Sequence, residues 1–257
     1  MTKVEQVKNE GEKLALEIMY DGTSFHGWQV QNNAKSVQGT LCDALFSITG
    51  KKIDVTGCSR TDAGVHANSY ICHVNKDDVG ISPERLCAAM NSYLRDKSIA
   101  VKSARVMDAD FHARYSCVGK EYVYKIWNAK YTNPFLVKSA MFYPIEIDVE
   151  KMKYAEHEFC GRQDFRSFMA KGSKNEDNTV RTVKYFNVVK NDNLIEISVC
   201  ADGFLYNMVR IMVGTYIDLA RKSAPEGSVK RIIEAKDRSM AGDTAPALGL
   251  YLNKVFY

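Results

Sequence analysis

The feature that most constrains this chain is a hydrophobic period that keeps switching between the two residues of a strand and the 3.6 of a helix. From Lys13 to Tyr20, Leu14, Leu16, Ile18 and Tyr20 fall on alternate positions, the pattern of a half-buried strand, and Asp21-Gly22 stops it. Ser36 offers an N-cap to a helix whose inner face is Val37, Leu41, Leu45 and Ile48 and which ends at Gly50. Ile53 to Cys58 and Val65 to Val74 read as two further strands. Ser82-Pro83-Glu84 opens a second helix through Leu94, with proline at the first helical position, where a missing N–H costs nothing. Ile99 to Met107 closes as a strand.

The second half approximately repeats that order without visible sequence identity. A strand lies within Tyr115 to Ala129, with Tyr122, Tyr124 and Ile126 alternating, and Met152 to Cys160 reads as a short helix. Val180 to Val189 and Leu194 to Cys200 form a hairpin over Asn191-Asp192-Asn193. Phe204 to Arg221 is a long helix apolar on nearly every face, Glu226 to Ala235 a further helix, and Leu248 to Tyr257 the last strand. Ala170 to Asn178 is a polar surface loop. The fold class is therefore α+β: two ferredoxin-like halves with mostly antiparallel sheets, joined around a central active-site cleft. The expected divisions are a charged N-terminal tail over 1–12, one half over 13–110 and the other over 111–257.

Charge separates the halves. Residues 1–110 carry 13 basic against 14 acidic side chains and residues 111–257 carry 22 against 17, so the whole excess of +4 lies in the second half. Seven cysteines, with no Cys-x-x-Cys pair, make neither a disulfide framework nor a zinc knuckle and point to a reducing compartment. Met1 to Lys13 lacks the apolar core of a signal peptide and no later run approaches a membrane span, so the expectation is a cytoplasmic protein with no membrane contact.

Two places carry chemistry. Gly57 to Ala67 packs Arg60, Thr61, Asp62 and His66 between two strands, and Ala63-Gly64 supplies a tight turn that mounts Asp62 rigidly at the sheet's end. An aspartate before a turn often only caps it, but capping needs neither Arg60, Thr61 nor His66. In the second half, Arg210 lies among Leu205, Met208, Val209, Ile211, Met212 and Val213, and a buried arginine needs a carboxylate unless it snorkels to water. Asp202 and Asp218 are each about 12 Å away along a helix axis, too far for a direct pair. Asp62, from the other half, is the natural partner, and such a pair would hold its carboxylate ionised and oriented. The aromatic loop from Tyr20 to Gln31, with Phe25 and Trp28, reads either as a hydrophobic plug or as a rim for stacking on bases.

The run Ser59-Arg60-Thr61-Asp62-Ala63-Gly64-Val65-His66-Ala67 resembles the catalytic motif of the TruA-type tRNA pseudouridine synthases. Further blocks resemble that family in order. They are Tyr20-Asp21-Gly22 with Gly27-Trp28-Gln29, Asp110-Phe111-His112-Ala113-Arg114, and Lys120-Glu121-Tyr122; then Val180-Arg181-Thr182, Gly203 to Arg210, and Ala245-Pro246-Ala247 with Gly249-Leu250. The similarity runs from about Leu14 to Tyr257. Two departures stand out: Ser59, where the family often has Gly, and Asn68-Ser69-Tyr70, where a Gln often follows the motif histidine.

The resemblance implies isomerisation of uridine to pseudouridine in the tRNA anticodon arm, at nucleotides 38 to 40, with no metal, nucleotide or redox cofactor. It makes Asp62 the essential carboxylate, Arg210 its ion-pair partner, Tyr122 the ring that stacks on the extruded base and helps move the C5 proton, Arg60 the residue that helps displace that base, and Leu250 a contact to uracil. Arg114, Lys171 and Lys174 would meet phosphates. It also implies a homodimer, which suits a chain with little surface of its own to grip a whole tRNA. Two other classes compete: a non-catalytic RNA-binding module, in which Asp62 is dispensable, and a zinc enzyme using Cys58, His66, Cys72 and His73, whose spacing matches no familiar site.

Overall fold

The computed structural model describes residues 11–172 and 178–257, so Lys174 and most of the charged tail lie outside the described residues. The first half runs β1 (Lys13–Tyr20), α1 (Val37–Thr49), β2 (Thr56–Gly57), β3 (His66–Asn75), the one-turn α2 (Lys76–Val79), α3 (Pro83–Leu94) and β4 (Ile99–Met107). The second runs β5 (Gly119–Trp127), β6 (Met141–Phe142), α4 (Lys153–Glu158), β7 (Gly161–Asp164), β8 (Val180–Asn191), β9 (Leu194–Ala201), α5 (Met208–Arg221), α6 (Ser228–Ala235) and β10 (Leu250–Phe256).

The expected caps are in place. Ser36 Oγ accepts from Gly39 N–H at the start of α1, and Gly50 ends that helix at φ 71°. Ser82 does the same for α3 ahead of Pro83. Val37, Leu41, Ala44 and Leu45 of α1 and Leu86, Met90 and Leu94 of α3 are buried against the sheet, and α5 buries Ile211, Met212, Val213 and Tyr216 in the second half. Truncating a leucine such as Leu45 to alanine in such a core costs about 2–5 kcal/mol.

All these strands lie in one sheet, ordered β4-β1-β3-β10-β5-β9-β8-β7, with β2 added on β3 and β6 on β5. Within it, β4-β1-β3-β2 and β10-β5-β9-β8 are the same arrangement, each half placing its first strand between its fourth and its third. The two sheets are continuous because β10 pairs parallel with the start of β3, Tyr251 opposite His66 and Leu252 opposite Ala67, and antiparallel with β5, Leu252 opposite Tyr122. That junction sets the loop before His66 beside Tyr122.

The second strand is shorter than its periodicity predicts. Only Thr56 and Gly57 pair, opposite His73 and Cys72, although Ile53 and Val55 are buried as the alternation requires. The Trp28 ring, stacked on Tyr70 at 4.2 Å, crosses Gly57 so closely that a Cβ there would lie 2.1 Å from the Tyr70 hydroxyl. The ladder does not stop there, since Cys58 N–H still donates to Ile71 O (2.9 Å). It is Ile53 to Val55 that go unpaired, because the same register would set Ile53 opposite Lys76, beyond the end of β3, while β10 takes the start of the β3 edge.

Candidate active site

The loop that carries Asp62 is held from below. Trp28 N–H donates to Thr61 O (3.1 Å), Gly64 N–H to Phe25 O (3.2 Å), and Val65 N–H closes the turn onto Asp62 O (3.2 Å). Gly64 takes φ 79°, as the tight turn demands. Two buried tyrosines add side-chain bonds: Tyr20 Oη lies 2.8 Å from Thr61 Oγ1, and the Tyr70 hydroxyl donates to Ser59 O. Tyr20, Phe25 and Trp28 are at most 4% exposed. These rings are the plug under the Asp62 loop, and the reading of them as a stacking rim is excluded. With the turn closed by backbone bonds, the Asp62 carboxylate points across the cleft to Arg210.

Arg210 stands in the first turn of α5 and is held at three points. Its Nε donates to Ala245 O (2.7 Å), and Nη1 donates to Asn207 Oδ1 (2.9 Å) and to Asp62 Oδ2 (3.4 Å). The Asp62 side chain is 34% exposed and that of Arg210 17%, so the arginine pairs rather than snorkels. Burial raises the Asp62 pKa above the usual 3.8, and the charge and hydrogen bond of Arg210 offset only part of it. Arg210 does ease ionisation of Asp62, as expected of the pair, but desolvation by burial is the larger effect and the net shift is upward.

Around the pair lies a cleft of about 770 Å³. Tyr122, on β5, is buried in its wall, with its ring edge-on to Phe204 at 5.1 Å and its hydroxyl 3.4 Å from Ser59 Oγ. Burial pushes the phenol's pKa well up, so Tyr122 is neutral. Leu250, Arg60 and Arg114 also line the cleft. Lys171 is exposed beside Gly172, which lines it, but is not itself in the wall. Two further basic residues line the cleft, Lys120 and Arg181, which stand within the family-like blocks of the sequence but are given no role of their own there. Each sits beside a motif residue at the start of a strand, Lys120 in β5 and Arg181 in β8, and that adjacency was the available signal.

His66 is held by structural bonds. His66 Nδ1 accepts from Gly22 N–H (3.1 Å) and Nε2–H donates to Leu248 O (3.0 Å), while its ring stacks on Tyr251 at 4.6 Å. Asp21 Oδ1 is also 3.1 Å from Nδ1, a bond that only a protonated ring could make. Burial lowers the His66 pKa and favours the neutral ring. His66 and His73 stand at opposite ends of β3, about 23 Å apart along the strand. Among the described residues no group of three or more His, Cys, Asp or Glu could hold a metal ion, and the zinc reading has no geometry behind it.

A family model described as tRNA pseudouridine synthase matches residues 17–116 and 155–257. The tRNA pseudouridine synthase A of Ruminiclostridium cellulolyticum is 42% identical over 246 residues, covering 95% of this chain and 99% of that protein. Proteins of the same name from Acetivibrio thermocellus and Lactobacillus acidophilus are 40% and 41% identical, each covering 94% of this chain and 98% and 93% of their own lengths. A match of this extent leaves one assignment: the chain belongs to the tRNA pseudouridine synthase family.

Proposed function

We propose that this protein isomerises uridine to pseudouridine in tRNA, at positions 38, 39 and 40 of the anticodon stem-loop. The observation that carries the reading is the Asp62–Arg210 pair in a cleft lined by Arg60, Arg114, Lys120 and Arg181, a reactive carboxylate inside a cationic groove. In the reaction the C1′–N1 glycosidic bond breaks, C1′–C5 forms, N1 gains a proton and C5 loses one, so the product is an isomer and no co-reactant is consumed.

A base in a paired stem is out of reach, and flipping it costs about a few kcal/mol, least where pairing is already weak. Arg60, exposed on the loop before Asp62, is the side chain placed to fill the vacated stack. The extruded uracil then meets Tyr122 and Leu250, with Asp62 beside its ribose and glycosidic bond. Arg210 keeps the carboxylate oriented, and the uracil and ribose seated against it displace its remaining water, which raises its reactivity as a nucleophile or base. Tyr122, neutral as it stands, stacks on the extruded uracil and helps move the C5 proton, which ends in solvent as N1 takes one up.

Residues 13–110 and 111–257 act as the two halves of this cleft. A homodimer that shares one tRNA fits the modest surface of a single chain, and a monomeric mass by light scattering at working concentration contradicts it. The seven thiols and a tRNA substrate suit the cytoplasm, and among the described residues no helix is long and apolar enough to cross a membrane.

Tritium release from C5-labelled uridine in tRNA tests the reading. The wild type releases tritium, whereas Asp62→Asn binds tRNA normally and loses roughly a thousandfold or more in rate, at least about 4 kcal/mol of barrier. A wild type that binds tRNA and releases none is a non-catalytic binding module.

A further inference from the structure

Between β4 and β5 the turn His112-Ala113-Arg114-Tyr115 forms one wall of the cleft mouth, and it is built more rigidly than a connection needs. Ala113 is fully buried, its N–H donating to His73 Nδ1 (3.2 Å) and its carbonyl accepting from the Tyr257 hydroxyl (2.7 Å). His112 and Ser116 bond each other twice, His112 N–H to Ser116 Oγ (3.0 Å) and Ser116 N–H to His112 O (2.9 Å). His112 Nδ1 accepts from both Arg114 N–H (3.1 Å) and Tyr115 N–H (3.2 Å).

What this frame presents is a bare ring. Tyr115 is 76% exposed, and all three of His112, Arg114 and Tyr115 line the same cleft as Asp62. The ring leans on His112 at 4.3 Å and 34° and is otherwise largely open to solvent. The Arg114 guanidinium lies 5.7 Å from its centre. A lone exposed aromatic means little. An aromatic face fixed on a pinned turn, flanked by a cation and opening into a cationic cleft, is the composition of a single-strand stacking site.

We propose that Tyr115 is a stacking platform for a second, unpaired nucleobase of the RNA, one neighbouring the extruded uridine, with Arg114 on the adjoining phosphate. The inference rests on the reading that the cleft takes tRNA. Arg60 fills the gap left within the stem, and the Tyr115 face takes a neighbouring base that is itself unpaired. Tyr115 acts on RNA positioning and touches no reacting bond.

The test is tRNA affinity by fluorescence anisotropy, with single-turnover tritium release at saturating enzyme, for wild type, Tyr115→Phe, Tyr115→Leu and Tyr115→Ala. Stacking needs the ring and not its hydroxyl. Tyr115→Phe therefore binds as wild type, while Tyr115→Leu and Tyr115→Ala bind roughly 5- to 150-fold more weakly. All three retain the saturated rate within about twofold, and their melting temperatures match wild type because the side chain is outside the core. Unchanged affinity in Tyr115→Ala, or an equal loss in Tyr115→Phe, overturns the platform. The two readings fail separately: a wild type without tritium release removes the synthase function, whereas the affinity series alone decides Tyr115.

Discussion

Asp62 and Arg210, 148 residues apart, meet through a single guanidinium nitrogen, and that nitrogen also donates to Asn207. The arginine is therefore a strut with three attachments, of which the carboxylate is the longest. A lysine at 210 carries the charge on a flexible stem with one nitrogen and cannot hold Ala245, Asn207 and Asp62 together. Arg210→Lys should keep tRNA binding near wild type and lose about 100-fold in kcat, the scale of a 1 Å misplacement. Tritium release within threefold of wild type would mean that charge alone suffices at this position.

The raised pKa of Asp62 has a consequence for stability. Its folded-state pKa lies above the usual 3.8, so the folded protein holds this proton more tightly than the unfolded chain does. The favourable contribution is complete below pH 3.8 and is lost as pH rises through the folded-state pKa. Ionised Asp62 thus costs stability at neutral pH. Asp62→Asn should accordingly melt higher than wild type at pH 7, with the gap closing in the acid range, even though it is inactive. Equal melting temperatures at pH 7 would show that Arg210 fully compensates the buried charge. The acid limb of the wild-type rate profile should likewise fall above 3.8.

Much of the fold is legible because each element carries its own boundary marks: Ser36 and Gly50 for α1, Ser82-Pro83 for α3, alternation for β1 and β5. The pairing of Arg210 is legible for a different reason, since a cation inside an apolar helix must find a carboxylate. What lies beyond a linear reading depends on contacts between distant segments. The curtailment of β2 follows from where β3 ends, at Asn75, and the joining of two sheets from β10 entering between β3 and β5. The direction of the Asp62 shift depends on how much apolar wall surrounds it. Lys120 and Arg181 reach the cleft only because of where their strands begin.

Asn207 is the residue before α5, and it sits in the left-handed region at φ 59° with its side chain on Arg210. Asparagine tolerates that region better than most residues. Asn207→Gly should remain as stable as wild type, since glycine adopts this backbone freely, yet lose activity because Arg210 is no longer steadied. Asn207→Ala should lose the same activity and about 1 kcal/mol of stability as well, from the left-handed backbone. Thermal melts and tritium release on both variants separate the two effects. Full activity in Asn207→Gly would remove any positioning role for the amide.

Gly27 and Gly50 make a matched pair for testing the support beneath Asp62. Both take positive φ, 88° and 71°, so alanine is strained at either position. At Gly50 a new Cβ meets nothing within 4 Å, whereas at Gly27 it would lie 2.4 Å from the backbone oxygen of Thr61, the residue before Asp62. Gly50→Ala should cost only the backbone strain, about 1–2 kcal/mol, and leave kcat unchanged. Gly27→Ala adds an overpacking cost for a total on the order of 3 kcal/mol, and because the atom that must yield belongs to the Asp62 loop, kcat should fall by tenfold or more. Denaturant unfolding and tritium release read the two costs. If Gly27→Ala is as active as Gly50→Ala, the loop from Gly57 to Ala67 keeps its geometry without the Gly27 contact, and the backbone bonds to Phe25 and Trp28 with the Tyr20 and Tyr70 hydroxyls suffice to hold it.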